Sequence, residues 1–93
     1  MMATWVIAYD VSSNRNRNRV SKRLAARGIR LQKSVFLVDA SPSDVSKLVD
    51  EIGIHIDPET DRVSAWQLIE RWRESQRVSP PQAALLDEPF IVL

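Results

Sequence analysis

The chain has 93 residues, no cysteine and a net charge of +1. That length makes one domain with a thin core, since a chain of this size buries only about 60–68% of its unfolded surface. Without cysteine there is no disulfide, thiolate metal site or thiol nucleophile. No apolar stretch is long enough to span a bilayer, and the first residues lack a basic segment leading into an uninterrupted apolar run, so a cytoplasmic protein with no membrane association is expected.

The near-neutral balance hides a segregation. Between Val11 and Val38 there is no acid, yet Arg15, Arg17, Arg19, Lys22, Arg23, Arg27, Arg30 and Lys33 all fall there, eight of the 13 cations. Eleven of the 12 acids follow that span; Asp10 alone precedes it. A solvated helix face usually mixes both signs, so this pattern points to a phosphate-rich partner, DNA or RNA. A membrane surface fits less well, because the span lacks a large apolar counter-face.

The first predicted element is a strand through Trp5-Val-Ile-Ala-Tyr9, ending abruptly in Asp10. A carboxylate where a strand leaves the core is placed to hold a metal or a catalytic group; the alternative is an acid that caps the next loop or helix. Ser13 or Asn14 can cap a helix starting near Arg15, because each offers a side-chain oxygen to the free amides of the first turn. That helix has a narrow apolar stripe of Val20, Leu24 and Ala25, fans its arginines to solvent and ends near Arg27, with Gly28 as the residue beyond its end.

Ile29 to Val38 is strand material, alternating at first and then continuously apolar, with no Gly, Pro or Asn to turn a hairpin. It reads as one bent strand or as two short ones meeting near Ser34. Ser41-Pro42-Ser43-Asp44 starts a helix, with Ser41 capping and Pro42 in the first turn where it loses no amide bond. Val45, Leu48, Val49 and Ile52 repeat at helical spacing and bury one face. Asp57 to Asp61 is a proline-set turn, and Arg62 to Ile69 a further strand. The stretch from Glu70 to Arg77 is polar and mixed in charge, Ser79-Pro80-Pro81 is a stiff spacer, and the apolar Phe90-Ile91-Val92-Leu93 reads as a strand that needs a sheet edge.

Strand, helix, one or two strands, helix, strand is the ferredoxin-like βαββαβ order, an α+β fold that hosts many unrelated functions. Tyr9-Asp10-Val11-Ser12, the arginine-rich helix start, Gln32-Lys33-Ser34-Val35-Phe36 and Ile56-Asp57-Pro58-Glu59-Thr60-Asp61 resemble the small CRISPR-associated endonuclease family called Cas2. The resemblance runs from about Trp5 to Leu68. It implies a symmetric homodimer that joins the Cas1 integrase in capturing spacers, with magnesium-dependent cleavage of RNA or double-stranded DNA described for many members. On this chain it implies Asp10 as the catalytic and metal-binding acid, with Mg²⁺ or Mn²⁺ as cofactor. Arg15, Arg17 and Arg19 match the family's basic positions, and Arg27, Arg30, Lys33 and Ser34 extend the expected nucleic-acid surface. Asn16 and Asn18 stand where further basic residues are common, and Leu37 replaces an acid often found after the phenylalanine.

One aspartate is a poor magnesium site, because Mg²⁺ takes an octahedron of oxygens and usually one or two carboxylates with water and phosphate. A two-fold axis near Asp10 would supply two carboxylates. His55 reads as a surface or loop histidine and not as a general base. Trp5 and Trp66 read as sheet residues and Trp72 as a contact anchor, too scattered to form a base-stacking platform. No organic cofactor motif is present. The expected organisation is a ferredoxin-like nucleic-acid-binding domain over residues 1–78 and a C-terminal extension over 79–93. Phe36, Phe90, Ile91, Val92 and Leu93 are the expected interface residues, toward the partner protomer or the integrase. Three functions fit: a metal-dependent endonuclease, a non-catalytic dimeric adaptor, and a toxin-like ribonuclease on the same fold.

Overall fold

The structure is a computed structural model, and it describes residues 2–69, 71–75 and 77. Strand β1 (Ala3–Asp10) is central, helix α1 spans Asn14–Ala25, strands β2 (Ile29–Gln32) and β3 (Val35–Ala40) form a hairpin, helix α2 spans Pro42–Gly53, strand β4 spans Arg62–Gln67, and a single turn of helix, α3, covers Trp72–Ser75. The four strands lie in the order β2-β3-β1-β4 with every neighbour antiparallel. This is the ferredoxin-like α+β arrangement expected from the sequence.

Alternation along the strands decides what each face does. Ile7 and Tyr9 of β1 and Phe36, Val38 and Ala40 of β3 share one face, where they are buried with Val20 and Leu24 of α1 and Val45, Leu48 and Ile52 of α2. Both helices present helical-period apolar stripes to this face, as their spacing requires. Ala25, read as part of the α1 stripe, is exposed instead. The register places Ile29, Leu37, Val6 and Trp66 in one row across all four strands on the other face. Trp66 is 56% exposed there, while Leu37 is fully buried.

Caps appear where the sequence put them. Ser13 Oγ accepts from the Asn16 amide at 3.3 Å, and Ser41 Oγ from the Asp44 amide at 3.2 Å, with Pro42 in the first turn of α2. Gly28 has a different reason from the helix-ending one. The residue that caps α1 is Ala26, in ordinary right-handed conformation. A Cβ at position 28 would stand 2.0 Å from the Leu37 carbonyl oxygen and 2.8 Å from the Val38 side chain, so glycine is needed for close approach to β3.

The stretch from Ile29 to Val38 resolves into two strands joined by a tight turn at Lys33-Ser34, with an irregularity between Arg30 and Gln32. The turn holds without Gly, Pro or Asn because β1 grips it: the Tyr9 amide donates to the Ser34 carbonyl at 3.1 Å, and the Tyr9 hydroxyl to the Lys33 carbonyl at 3.2 Å. Strand β4 stops at Gln67, two residues short of the sequence reading. Among the described residues no helix is long and apolar enough to cross a membrane. Phe90 to Leu93 and the 79–93 extension lie outside the described residues.

Candidate nucleic-acid cleft and strand-end carboxylate

At the end of β1 the chain leaves the sheet and enters α1 through Val11, Ser12 and Ser13. A cleft of about 280 Å³ opens beside this exit, lined by Tyr9, Asp10 and Val11, by Arg17, Asn18 and Ser21 of α1, by Arg30 of β2, and by Lys33 and Ser34 of the hairpin turn. Asp10 thus lines the same cleft as three cations, one from α1, one from β2 and one from the hairpin turn, with no ion pair between them among the described residues. Asp10 is exposed, and no hydrogen bond or ion pair reaches its carboxylate among the described residues. Its register partner on β4 is Arg62, whose guanidinium donates instead to the Asp61 carbonyl at 2.7 Å and the Pro58 carbonyl at 3.3 Å. An exposed carboxylate with no structural partner keeps its lone pairs for a ligand.

Each cation is held in its own way. The Arg17 guanidinium folds back onto the strand exit, donating to the Val11 carbonyl at 3.0 Å and the Ser12 carbonyl at 3.3 Å; it is half-buried, not fanned to solvent. Arg30 lies over the Phe36 ring, 5.1 Å from its centroid, and donates to the Ser21 hydroxyl. A guanidinium stacked on an aromatic face loses little of its charge and much of its freedom. Phe36 also stacks with Tyr9, with centroids 6.3 Å apart and planes at 22°. Phe36 is fully buried in the protomer's own core, so the expectation that it is an interface residue is corrected: its side chain supports the cleft floor from beneath.

The arginine-rich helix has two basic flanks. Arg17 faces the Asp10 cleft, whereas Arg19, Lys22 and Arg23 line a second groove with Ala26, Arg27 and His55, about 390 Å³ in volume. The buried stripe of Val20 and Leu24 sets these directions, since residues two apart on a helix point some 200° from each other. Arg23 is paired with Glu51 at 3.4 Å across exposed surface. Arg15 is exposed on the first turn and belongs to neither lining set. The structure thus brings Asp10, Arg17, Arg30, Lys33 and Ser34 together and sends Arg19 and Arg27 elsewhere.

Asp61 was not among the sequence-derived site residues. It is 3% exposed and the one buried charged residue among those described. Its Oδ1 accepts from the Ser12 amide at 3.0 Å, the Ser12 hydroxyl at 3.2 Å and the Thr60 hydroxyl at 3.0 Å; its Oδ2 accepts from the Asp57 amide at 2.8 Å. The Asp57 amide chiefly, then the Ser12 amide, hold its carboxyl below the usual carboxylate range, with burial opposing and the Thr60 and Ser12 hydroxyls assisting. The capping of the strand exit that the sequence offered to Asp10 is performed by Asp61. The available signal was the Asp57-Pro58-Glu59-Thr60-Asp61 turn, which closes on a third acid at the entry to an apolar strand.

The fold and cleft define a class: a ferredoxin-like α+β protein in which a strand-end carboxylate without a partner of its own opens into a pocket of cations. Residues 1–76 match the family described as CRISPR associated protein Cas2, and the chain belongs to that family. A relative named CRISPR-associated endoribonuclease Cas2 4, from Rhodospirillum rubrum, is 38% identical over 65 residues, which cover 70% of this chain and 52% of that protein. The chain therefore matches about half the length of that relative. The crystal structure of Streptococcus pyogenes Cas2 at pH 6.5 superposes with a TM-score of 0.74 at 24% identity, covering 84% of this chain and 98% of that one. A hypothetical protein TT1823 from Thermus thermophilus superposes with a TM-score of 0.70 at 20% identity, covering 74% and 84%. At these identities the two structures establish a common fold.

Proposed function

We propose that this chain binds nucleic acid through the Asp10 cleft and cleaves phosphodiester bonds there as a symmetric dimer, serving with the Cas1 integrase in CRISPR adaptation. The observation that carries the reading is one cleft lined by Arg17, Arg30 and Lys33 together with Asp10, whose exposed carboxylate is unengaged. Guanidinium groups that are already oriented bind phosphate at low entropic cost, and Arg30 is oriented by Phe36 and Ser21. The endoribonuclease name of the Rhodospirillum rubrum relative supports hydrolysis as the reaction.

The donor set fits a divalent cation as a half-site. Among the described residues no three His, Cys, Asp or Glu side chains gather within reach of one ion. Asp10 shares a face of β1 with Val6 and Ala8, the face crossed by the apolar row through Trp66. Two copies packed on that face would bring their Asp10 carboxylates toward a common axis and hold Mg²⁺ or Mn²⁺ between them. When bound, such an ion lowers the pKa of water and neutralises charge at a phosphate. The protein's own contribution would be positional: Arg17, Arg30 and Lys33 would bind backbone phosphates at the Asp10 end of β1 and offset their charge.

A non-catalytic adaptor is the second reading, favoured by the single carboxylate each chain brings to the cleft. Asp10→Asn separates the two, because it keeps shape and removes the anionic ligand. The expected result is loss of RNA and DNA cleavage in magnesium buffer with duplex affinity retained. Cleavage at the parental rate assigns the adaptor role to this chain and the nuclease activity to a contaminant or another site.

A further inference from the structure

The Asp10 cleft is assembled from elements distant in sequence, and the strand exit along one side of it is tied down by a side chain from outside the cleft. Asp61 stands at the entry to β4, 49 residues from Ser12, and still takes both the Ser12 amide and the Ser12 hydroxyl on one oxygen. Ser12 in turn accepts from Arg17 through its carbonyl, as does Val11. The path therefore runs from the 57–61 turn through Asp61 and the Ser12 backbone to the Arg17 guanidinium, beside Asp10. On the other side of Asp61, the Asp57 amide and the Thr60 hydroxyl fix the carboxylate's own orientation.

We infer that Asp61 is a positioning residue of the nucleic-acid cleft: it anchors the strand exit at Ser12 and thereby holds Arg17 in the phosphate-binding geometry next to Asp10. Without it, the residues between β1 and α1 lose their hydrogen-bonded tie to the 57–61 turn, and an arginine that now emerges at one fixed angle gains rotamer freedom. Three of its four donors, both Ser12 groups among them, sit on Oδ1, so an asparagine would keep them with its own oxygen and only removal of the whole carboxylate empties the clasp. The inference rests on the proposed binding of nucleic acid at this cleft for its functional consequence, and on the hydrogen-bond path alone for its structural one.

The test uses the full chain and a short fluorescently labelled DNA duplex, with affinity measured across a salt series for the parent, Asp61→Ala, Arg17→Ala and the double variant. Thr60→Val serves as a control that loosens the turn without touching Ser12. The expected outcome is that Asp61→Ala and Arg17→Ala each make the salt slope shallower by about one unit, the loss of one phosphate contact, and that the double variant loses no more than either. Two units lost in the double variant, or a parental slope in folded Asp61→Ala, overturns the inference. Should Arg17→Ala itself bind like the parent, it is the nucleic-acid reading that fails. The clasp is then decided without ligand: in Asp61→Ala the Ser12 amide should exchange faster with solvent and the Arg17 side-chain NMR signal should move toward that of a free guanidinium, while Thr60→Val leaves both in place. Unchanged exchange and an unchanged signal overturn it. If Asp61→Ala does not fold, Ser12→Ala removes the hydroxyl contact alone and is read by the Arg17 signal, which should move in the same direction and which overturns the inference if it stays parental.

Discussion

At the scale of single residues, the two aspartates flanking the cleft have opposite fates. Asp10 is exposed and unengaged; Asp61 is buried and saturated with donors. A carboxyl whose folded pKa lies below its unfolded value, as for Asp61, contributes stability that is complete above the unfolded value and lost as the pH falls through the folded one. Thermal unfolding should therefore shift downward on acidification below about pH 4, and Asp61→Asn should be less stable than the parent at neutral pH and less sensitive in that acid window. Parallel melting curves at neutral and acid pH check both statements. Gly28 makes a steric prediction: with the Leu37 carbonyl 2.0 Å from any added Cβ, Gly28→Ala should cost about 1–3 kcal/mol, the usual range for overpacking. A fall in urea midpoint with unchanged slope would show it. Gly53, where an added Cβ meets nothing within 4 Å, should accept alanine without such a penalty.

At the scale of elements, α1 combines three functions in 12 residues. Its stripe of Val20 and Leu24 closes the core, its Ser13 cap starts it, and its cations divide between two flanks. Ser13→Ala removes the oxygen serving the Asn16 amide and should cost about 1 kcal/mol of stability. It should also loosen the strand exit, because Ser13 adjoins Ser12. The two flanks predict different consequences for neighbouring arginines. Arg17→Ala should weaken nucleic-acid binding and slow cleavage, since it removes a cation beside Asp10. Arg19→Ala, on the flank shared with Lys22, Arg27 and His55, should flatten the salt dependence by about one unit if a bound duplex extends round the helix, with the rate at saturating substrate unchanged. Filter binding over a salt series, paired with single-turnover cleavage, separates these outcomes.

At the scale of the whole molecule, the sheet has one face committed to helices and a second crossed by the row Ile29, Leu37, Val6 and Trp66. An exposed tryptophan in an apolar row, on the same face as Asp10, is the feature that the proposed dimer uses. Trp66→Glu should shift sedimentation toward the monomer while far-ultraviolet circular dichroism stays parental, and should abolish cleavage if two Asp10 carboxylates are needed. Wild-type sedimentation with full activity would place the two-fold contact elsewhere.

What the residues determined by themselves were the local quantities. Period-two and period-3.6 spacing marked the strands and helices, Ser13 and Ser41 marked the helix starts, and the acid-free run from Val11 to Val38 marked where positive charge is concentrated. The end of the first apolar strand located Asp10. Tertiary structure decided everything that depends on register. Whether Ile29 to Val38 bends or turns back was set by the Tyr9 amide and hydroxyl gripping Lys33 and Ser34, bonds between residues over 20 positions apart. The division of the arginines into two flanks followed from which helix face Val20 and Leu24 bury against the sheet. Asp61 stayed invisible as a site residue because its partner Ser12 becomes a neighbour only when β4 pairs with β1 in the observed register, Asp10 opposite Arg62. Propensity and charge are properties of short segments, whereas a hydrogen-bond partner is a property of the assembled sheet.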